Sequence, residues 1–312
     1  MQFQSDLWGV IIGGSSGFGL AAARKLAQHG MNLCIVHRDR RGAMKRIEPE
    51  FEQLRAMGVK VSTFNLDGLS VEGRTTVLDA LRGELGGTGK IRMLLHSVAF
   101  GNLKLLAPVE HTGAQEKSRN ALAKTVGMEP AVFSRAVQEA FEAGEHRLHP
   151  VVDPPEYDNR QLLDRGDFER TVHAMGYDIV LWTSDIFHRG MFADDARVLS
   201  LTSEGNAIAW RGYAAISAAK AVLESVSRSM AVEFAPYGIR SNVIQAGVTE
   251  TAALAAIPGS DRIRAQAILR NPFGRLTTPK DVAGVIYLLC LDDSAWINGS
   301  LICVDGGERI AQ

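Results

Sequence analysis

The sequence predicts a doubly wound α/β fold, a single domain spanning residues 1–312, and three observations carry that expectation. Seven short apolar runs of strand length alternate with helix-patterned segments. The first run passes straight into a glycine-rich turn that opens a helix. At 312 residues and 46% hydrophobic, the chain can bury a core on both faces of a sheet. Strands separated by helices need right-handed crossovers, so the sheet is expected to be parallel and covered on both sides.

Leu7 to Ile12 is the first run, and Gly13-Gly14-Ser15-Ser16-Gly17-Phe18-Gly19 follows it directly. Glycines there let the backbone pass beneath a pyrophosphate, whose charge is met by amides at the start of the next helix, Leu20 to His29. Gly30 closes that helix. A tight turn would also use glycine, but the order of strand, turn and helix favours a phosphate cradle. Gly13, Ser15, Ser16, Gly17, Phe18 and Gly19 are therefore expected to hold a dinucleotide.

The second strand, Asn32 to Val36, ends in His37-Arg38-Asp39. A chain specific for NAD usually has a carboxylate here for the ribose hydroxyls, whereas Arg38 offers a fixed charge and a planar fork suited to a 2'-phosphate. NADPH is the expected cofactor, with NADH kept possible by Asp39. The third strand, Val59 to Asn65, leads to Asp67, placed either to meet an adenine edge or to cap the helix that begins near Ser70. Ile91 to Ser97 is the fourth.

Residues 104–165 break the rhythm, because no strand pattern intervenes. A loop that long carries either function or its own structure. Glu129-Pro130 followed by Ala131, Val132, Ala136 and Ala140 reads as a helix with proline in its first turn, and Pro150 to Pro155 as irregular. The stretch is expected to be a helical insertion over a substrate cleft, or else a surface or subunit-contact feature. The remaining strands are Val198 to Thr202, Ile239 to Gln245 and Ser300 to Val304.

Between the fifth and sixth strands lies Tyr213-Ala-Ala-Ile-Ser-Ala-Ala-Lys220. Seven steps are nearly two helical turns, which would put phenol and ammonium on one face about 10.5 Å apart along the axis. Alone, Tyr213 reads as a packing residue and Lys220 as a surface lysine; together, after a strand, they favour catalysis. The helix stays apolar beyond them, with Ala221, Val222, Val226 and Met230 recurring, which suits either packing against a second copy or an intramolecular core.

A net charge of −1, with both signs interspersed, gives no footprint for nucleic acid or an anionic membrane. Met1 to Leu7 lacks the blocks of a signal peptide, and no apolar run approaches a membrane span, so a cytoplasmic protein is expected. Cys34, Cys290 and Cys303 are widely spaced in apolar segments and read as reduced core thiols; no metal site is expected.

Gly13-x3-Gly17-x-Gly19, the Tyr213/Lys220 helix, Asn242 to Gly247 and Val304-Asp305-Gly306-Gly307 together resemble the short-chain dehydrogenase/reductase superfamily, over most of the chain except the insertion. The resemblance implies a Rossmann-type domain. Within it, His96-Ser-Val-Ala-Phe100, the Tyr-x6-Lys spacing and Ala246-Gly-Val-Thr-Glu-Thr251 resemble the enoyl-acyl-carrier-protein reductase branch. The commoner Tyr-x3-Lys spacing would put its tyrosine at Ile216. Ile12 stands where the usual motif has threonine. Ser203 lies ten residues before Tyr213, where many enoyl reductases carry another tyrosine, and thirteen before Ile216, where the shorter-spaced enzymes carry a catalytic serine.

This resemblance implies Tyr213, Lys220 and Ser203 as catalytic residues, and a cofactor lined by Ser97, Val98 and Ala99 at its nicotinamide ribose and by Gly247, Val248, Thr249 and Thr251 at its carboxamide and pyrophosphate. Ser97 to Ala99 also read as a plain strand end, and Thr251 as a helix cap. The implied activity is reduction of a 2-enoyl thioester linked to acyl-carrier protein or coenzyme A, as in fatty acid biosynthesis, by a homodimer or homotetramer. A carbonyl reductase using Ser203 and Tyr213 is the alternative, and a cofactor-binding regulator without turnover is a third.

Overall fold

A computed structural model describes residues 2–110 and 113–311. In order they form β1 (Leu7–Ile12), α1 (Gly17–Ala27), β2 (Asn32–His37), α2 (Met44–Arg55), β3 (Val61–Asn65), α3 (Val71–Leu85), β4 (Lys90–His96), α4 (Ala114–Thr125), α5 (Pro130–Glu142), α6 (Arg165–Val172), α7 (Asp178–His188), β5 (Phe192–Thr202), α8 (Ala214–Glu233), β6 (Ile239–Ala246), α9 (Ala252–Ala255), α10 (Ser260–Arg270), α11 (Pro279–Leu289) and β7 (Leu301–Val304). The strands make one parallel sheet in the order β3-β2-β1-β4-β5-β6-β7. All seven expected strands are present. The largest boundary difference is at β5, which begins at Phe192 rather than Val198. Its first half contains Asp194 and Asp195, which spoil an apolar pattern. Asp195 is held there by Arg92 at 2.6 Å and by Arg197 and Arg240, so ion pairing sustains a stretch that burial alone would not mark.

Alternate side chains of the sheet enter two cores. On one face Ile11, Leu33, Ile35, Met93 and Leu95 pack with Leu26 of α1, Phe51 of α2 and Ile286 of α11. On the other, Val10, Ile12, Leu94 and Val198 pack with Leu81 of α3, Trp182 of α7 and Leu223 and Met230 of α8. Each fully buried side chain of this size contributes about 1.5–3 kcal/mol. Val226 and Met230 thus belong to the intramolecular core. Strand order reverses between β1 and β4, and at the carboxyl ends of these strands a parallel sheet opens a crevice.

The insertion is helical, with Pro130 opening α5 as expected and an irregular return through residues 150–158. Its neck is closed by the Leu163 amide donating to the Leu105 carbonyl at 2.8 Å. Val137, Phe141 and Val152 pack on Ala265, so the insertion rests against α10. α10 also supplies Ile263 to the wall of the cleft that the strand ends open. Cys34 and Cys290 lie in the core, where burial pushes both thiols up, Cys290 to about 12. Cys303 departs from expectation and is exposed, because β7 is an edge strand and its alternate residues Leu301 and Cys303 face outward.

Candidate active site

The glycine loop is built by close backbone approach. Gly13 turns with φ +87°, and a Cβ there would stand 2.4 Å from the Ser97 carbonyl oxygen. A Cβ on Gly19 would stand 2.2 Å from the Gly13 oxygen. Neither position tolerates a side chain. Gly17 differs, since with φ +53° its missing Cβ would point into empty space. That space opens at the start of α1, where Ser16 is extended and makes no side-chain cap. Uncapped amides at a helix N-terminus, with room above them, fit a diphosphate. Ser15 and Ser16 lie on this loop, and Phe18 continues into the cleft described below.

At the end of β2, Arg38 donates to Asp67 at 3.2 Å, and its guanidinium lies 4.6 Å from the centre of the Phe100 ring. Both partners of the ion pair are half exposed, so it adds little to stability. Asp67 is not the cap of α3: Ser70 Oγ accepts from the Gly73 amide at 3.0 Å and takes that role. Asp39 turns to His37, 2.9 Å away. The Asp39 carboxylate is thus engaged by a neighbouring ring.

At the other end a cleft of about 230 Å³ gathers the expected reaction residues. Ser97, Val98 and Ala99 after β4, Ser203 after β5, Gly247, Val248, Thr249 and Thr251 after β6, and Tyr213 and Lys220 all line it. Tyr213 lies one residue before α8 rather than within it, serving as its N-cap residue, while Lys220 lies on the helix. The phenol is buried beside Met175, Ile216 and Trp210. Burial raises its pKa, and the adjacent Ser203 hydroxyl partly opposes that rise. Ser203 Oγ is itself buried without a hydrogen bond of full geometry, so the two groups are neighbours more than a bonded pair.

Lys220 is 7% exposed and donates from Nζ to the Leu201 carbonyl at 2.9 Å. Burial pushes its ammonium down to about 8, against the upward pull of Glu224. Glu224 accepts from Thr202 at 2.8 Å and Asn206 at 2.5 Å. An ammonium with a pKa near neutrality, facing a cleft, is a strong candidate for chemistry. Glu224, four residues after Lys220, was within reach of helical spacing. Thr202, Asn206 and the Glu204–Arg270–Glu308 set carry no local signal, because their contacts join distant parts of the chain.

Thr251 caps α9, accepting from the Leu254 amide at 3.2 Å, and still lines the cleft. The Val248 amide is taken by Glu308 Oε2 at 3.2 Å, which leaves it no donor for a ligand. Apart from Thr202 and Glu204, the remaining wall is apolar, with Leu103, Met175, Trp210, Ile216, Leu254 and Ile257 among its residues. Among the described residues no group of three or more His, Cys, Asp or Glu side chains could hold a metal ion, and no helix is long and apolar enough to cross a membrane.

The chain is similar to known proteins at several levels. A family model described as enoyl-(acyl carrier protein) reductase matches residues 158–308. A cis-4-hydroxycyclohexanecarboxylate dehydrogenase of Sinomonas cyclohexanicum is 34% identical over 115 residues, 37% of this chain and 45% of that protein. The chain spans less than half the length of several curated relatives that it matches in this way. A 1-cyclohexenylcarbonyl-CoA reductase of Streptomyces collinus is 24% identical over 96% of this chain and 86% of its own. The crystal structure of an enoyl-(acyl-carrier-protein) reductase from Anaplasma phagocytophilum in complex with NAD has a TM-score of 0.68 at 20% identity, covering 99% of this chain and 94% of that one.

Proposed function

We propose that the chain is a short-chain dehydrogenase/reductase and that it reduces 2-enoyl thioesters, carried by acyl-carrier protein or coenzyme A, with NADPH. The observation that carries this reading is the meeting of Tyr213 and Lys220 on one cleft, with apolar Ile216 one turn before the lysine. Reduction of a conjugated thioester adds hydride at the β-carbon and develops negative charge on the thioester oxygen, several bonds away. That oxygen needs a donor of its own. Tyr213, whose raised pKa keeps the phenol protonated, is suited to donate to it. Lys220 would hold the nicotinamide ribose hydroxyls and keep the local potential positive. The bound nicotinamide cofactor would supply the hydride.

The apolar wall from Leu103 to Ile257 suits an acyl chain. The Streptomyces collinus relative is named for the reduction of an unsaturated CoA thioester, which agrees with this reading. The buried Ser203 hydroxyl beside the phenol favours a second one, in which Ser203 and Tyr213 together polarise a ketone. Purified protein with NADPH and either crotonyl or acetoacetyl thioester separates the two. Turnover of crotonyl thioester alone is expected; turnover of acetoacetyl thioester alone would transfer the chain to carbonyl reduction and make Ser203 catalytic.

The preference for NADPH rests on Arg38, whose guanidinium keeps N–H groups beyond the single bond to Asp67. Arg38→Ala should lower the ratio of NADPH to NADH efficiency at least tenfold, with NADH turnover little changed. An unchanged ratio would remove the phosphate contact. Assembly as a homodimer or homotetramer belongs to the same proposal, and sedimentation of the purified chain tests it.

A further inference from the structure

Arg270, at the end of α10, joins the two loops that form the floor of the cleft. Its Nη2 donates to Glu204 Oε1 at 2.5 Å and to Glu308 Oε1 at 3.0 Å. Glu204 directly follows Ser203 and lines the cleft. Glu308 stands on the short turn after β7 and is 1% exposed. Its second oxygen accepts the Val248 amide. One guanidinium therefore connects the loop of Ser203 to the loop of residues 247–251.

The fit at the second loop is tight. A Cβ on Gly247 would stand 2.9 Å from Glu308 Oε2 and 2.4 Å from Thr277 Oγ1. The same short segment is fixed from two more directions: Thr249 Oγ1 donates to the Gly247 carbonyl at 2.9 Å, and the Thr277 amide to the Val248 carbonyl at 3.1 Å. A buried carboxylate is strongly unfavourable unless paired and hydrogen-bonded, and an apolar side chain could fill such a space at less cost. Burial holds the Glu308 carboxyl above its ordinary range despite the pull of Arg270. A charged group kept under those conditions sets backbone geometry that an apolar one could not.

We propose that Glu308 and Arg270 are positioning residues for the nicotinamide end of the cofactor, Glu308 by fixing the 247–249 backbone through the Val248 amide and Arg270 by tying that loop to Glu204. The inference rests on the cofactor role proposed for residues 247–251, and not on the identity of the reduced substrate. The Ser203 and 247–251 loops then keep one spacing, set by Arg270 and Glu308, which do not line the cleft.

Calorimetric titration of NADP+ and NAD+ into the wild-type, Glu308→Ala and Glu308→Gln proteins, with a thermal melt of each, tests it. Glutamine keeps an acceptor oxygen for the Val248 amide but turns its NH2 toward Arg270, so it separates the amide bond from the Arg270 tie, whose share is expected to be the smaller. Alanine should weaken the better-bound dinucleotide about tenfold, and glutamine should restore affinity to within about threefold of wild type. Wild-type affinity in the alanine variant, or equal loss in both, overturns the positioning role. Should the alanine variant fail to fold, Glu308→Asp, which withdraws the carboxylate by one methylene, carries the test: about fivefold weaker binding is expected, and unchanged binding overturns the proposal. A wild-type chain that binds neither dinucleotide sinks the cofactor reading and this inference together. Failure on thioesters alone leaves the titration intact.

Discussion

Tyr213→Phe is expected to lower turnover of a 2-enoyl thioester by about 10²–10³-fold, the usual effect of removing one preorganised donor to a developing oxyanion. The substitution deletes a single oxygen from a ring already packed by Met175, Ile216 and Trp210, so folding should be unaffected. Cofactor affinity should stay within about twofold, because the phenol's proposed partner is the substrate oxygen. Single-turnover rates with NADPH, beside a cofactor titration, separate the two quantities. Wild-type turnover in the variant would exclude the phenol as the donor. A parallel Ser203→Ala variant discriminates further: in enoyl reduction it should cost little, whereas in carbonyl reduction its loss should approach that of Tyr213→Phe.

What the sequence made legible follows from which interactions are local. Alternation of strands and helices, and a glycine turn after a strand, are written in consecutive residues, so the sheet and the glycine turn that opens α1 could be read directly. Tyr213 and Lys220 were legible because seven residues separate them, although Tyr213 proves to precede the helix and not to ride on it. Asp195 in β5 was hidden because three arginines from different strands sustain it. Glu308 was hidden for the same reason, its partners lying at Arg270 and Val248. The exposure of Cys303 depends on β7 being an edge strand, which is a property of sheet order and not of the residues around it. The packing of the insertion against α10 likewise rests on contacts of Val137 and Phe141 with a helix more than a hundred residues later.

Lys220→Met is expected to abolish most turnover and yet leave the protein at least as stable at neutral pH. The ammonium is buried, and its pKa falls from 10.5 in an unfolded chain to about 8 in the folded one. Between those values the unfolded state binds more protons, so stability contributed by this site rises with pH across the window from about 8 to 10.5. Below it the folded protein carries a charge that burial disfavours. Methionine removes that charge at similar volume, a gain offset in part by loss of the bond to the Leu201 carbonyl. The net change should be on the order of 1–3 kcal/mol in favour of the variant at pH 7, shrinking as pH rises. Denaturant melts at pH 7 and pH 10 measure it, and a variant clearly less stable at pH 7 would mean that the carbonyl bond outweighs desolvation. The same titration should appear in catalysis. With Tyr213 held protonated, wild-type kcat/KM should be level below about pH 8 and fall above it as Lys220 loses its proton. Lys220→Arg, which stays charged throughout, should flatten that limb in whatever activity it retains; a fall at the same pH in the arginine variant would assign the titration to another group.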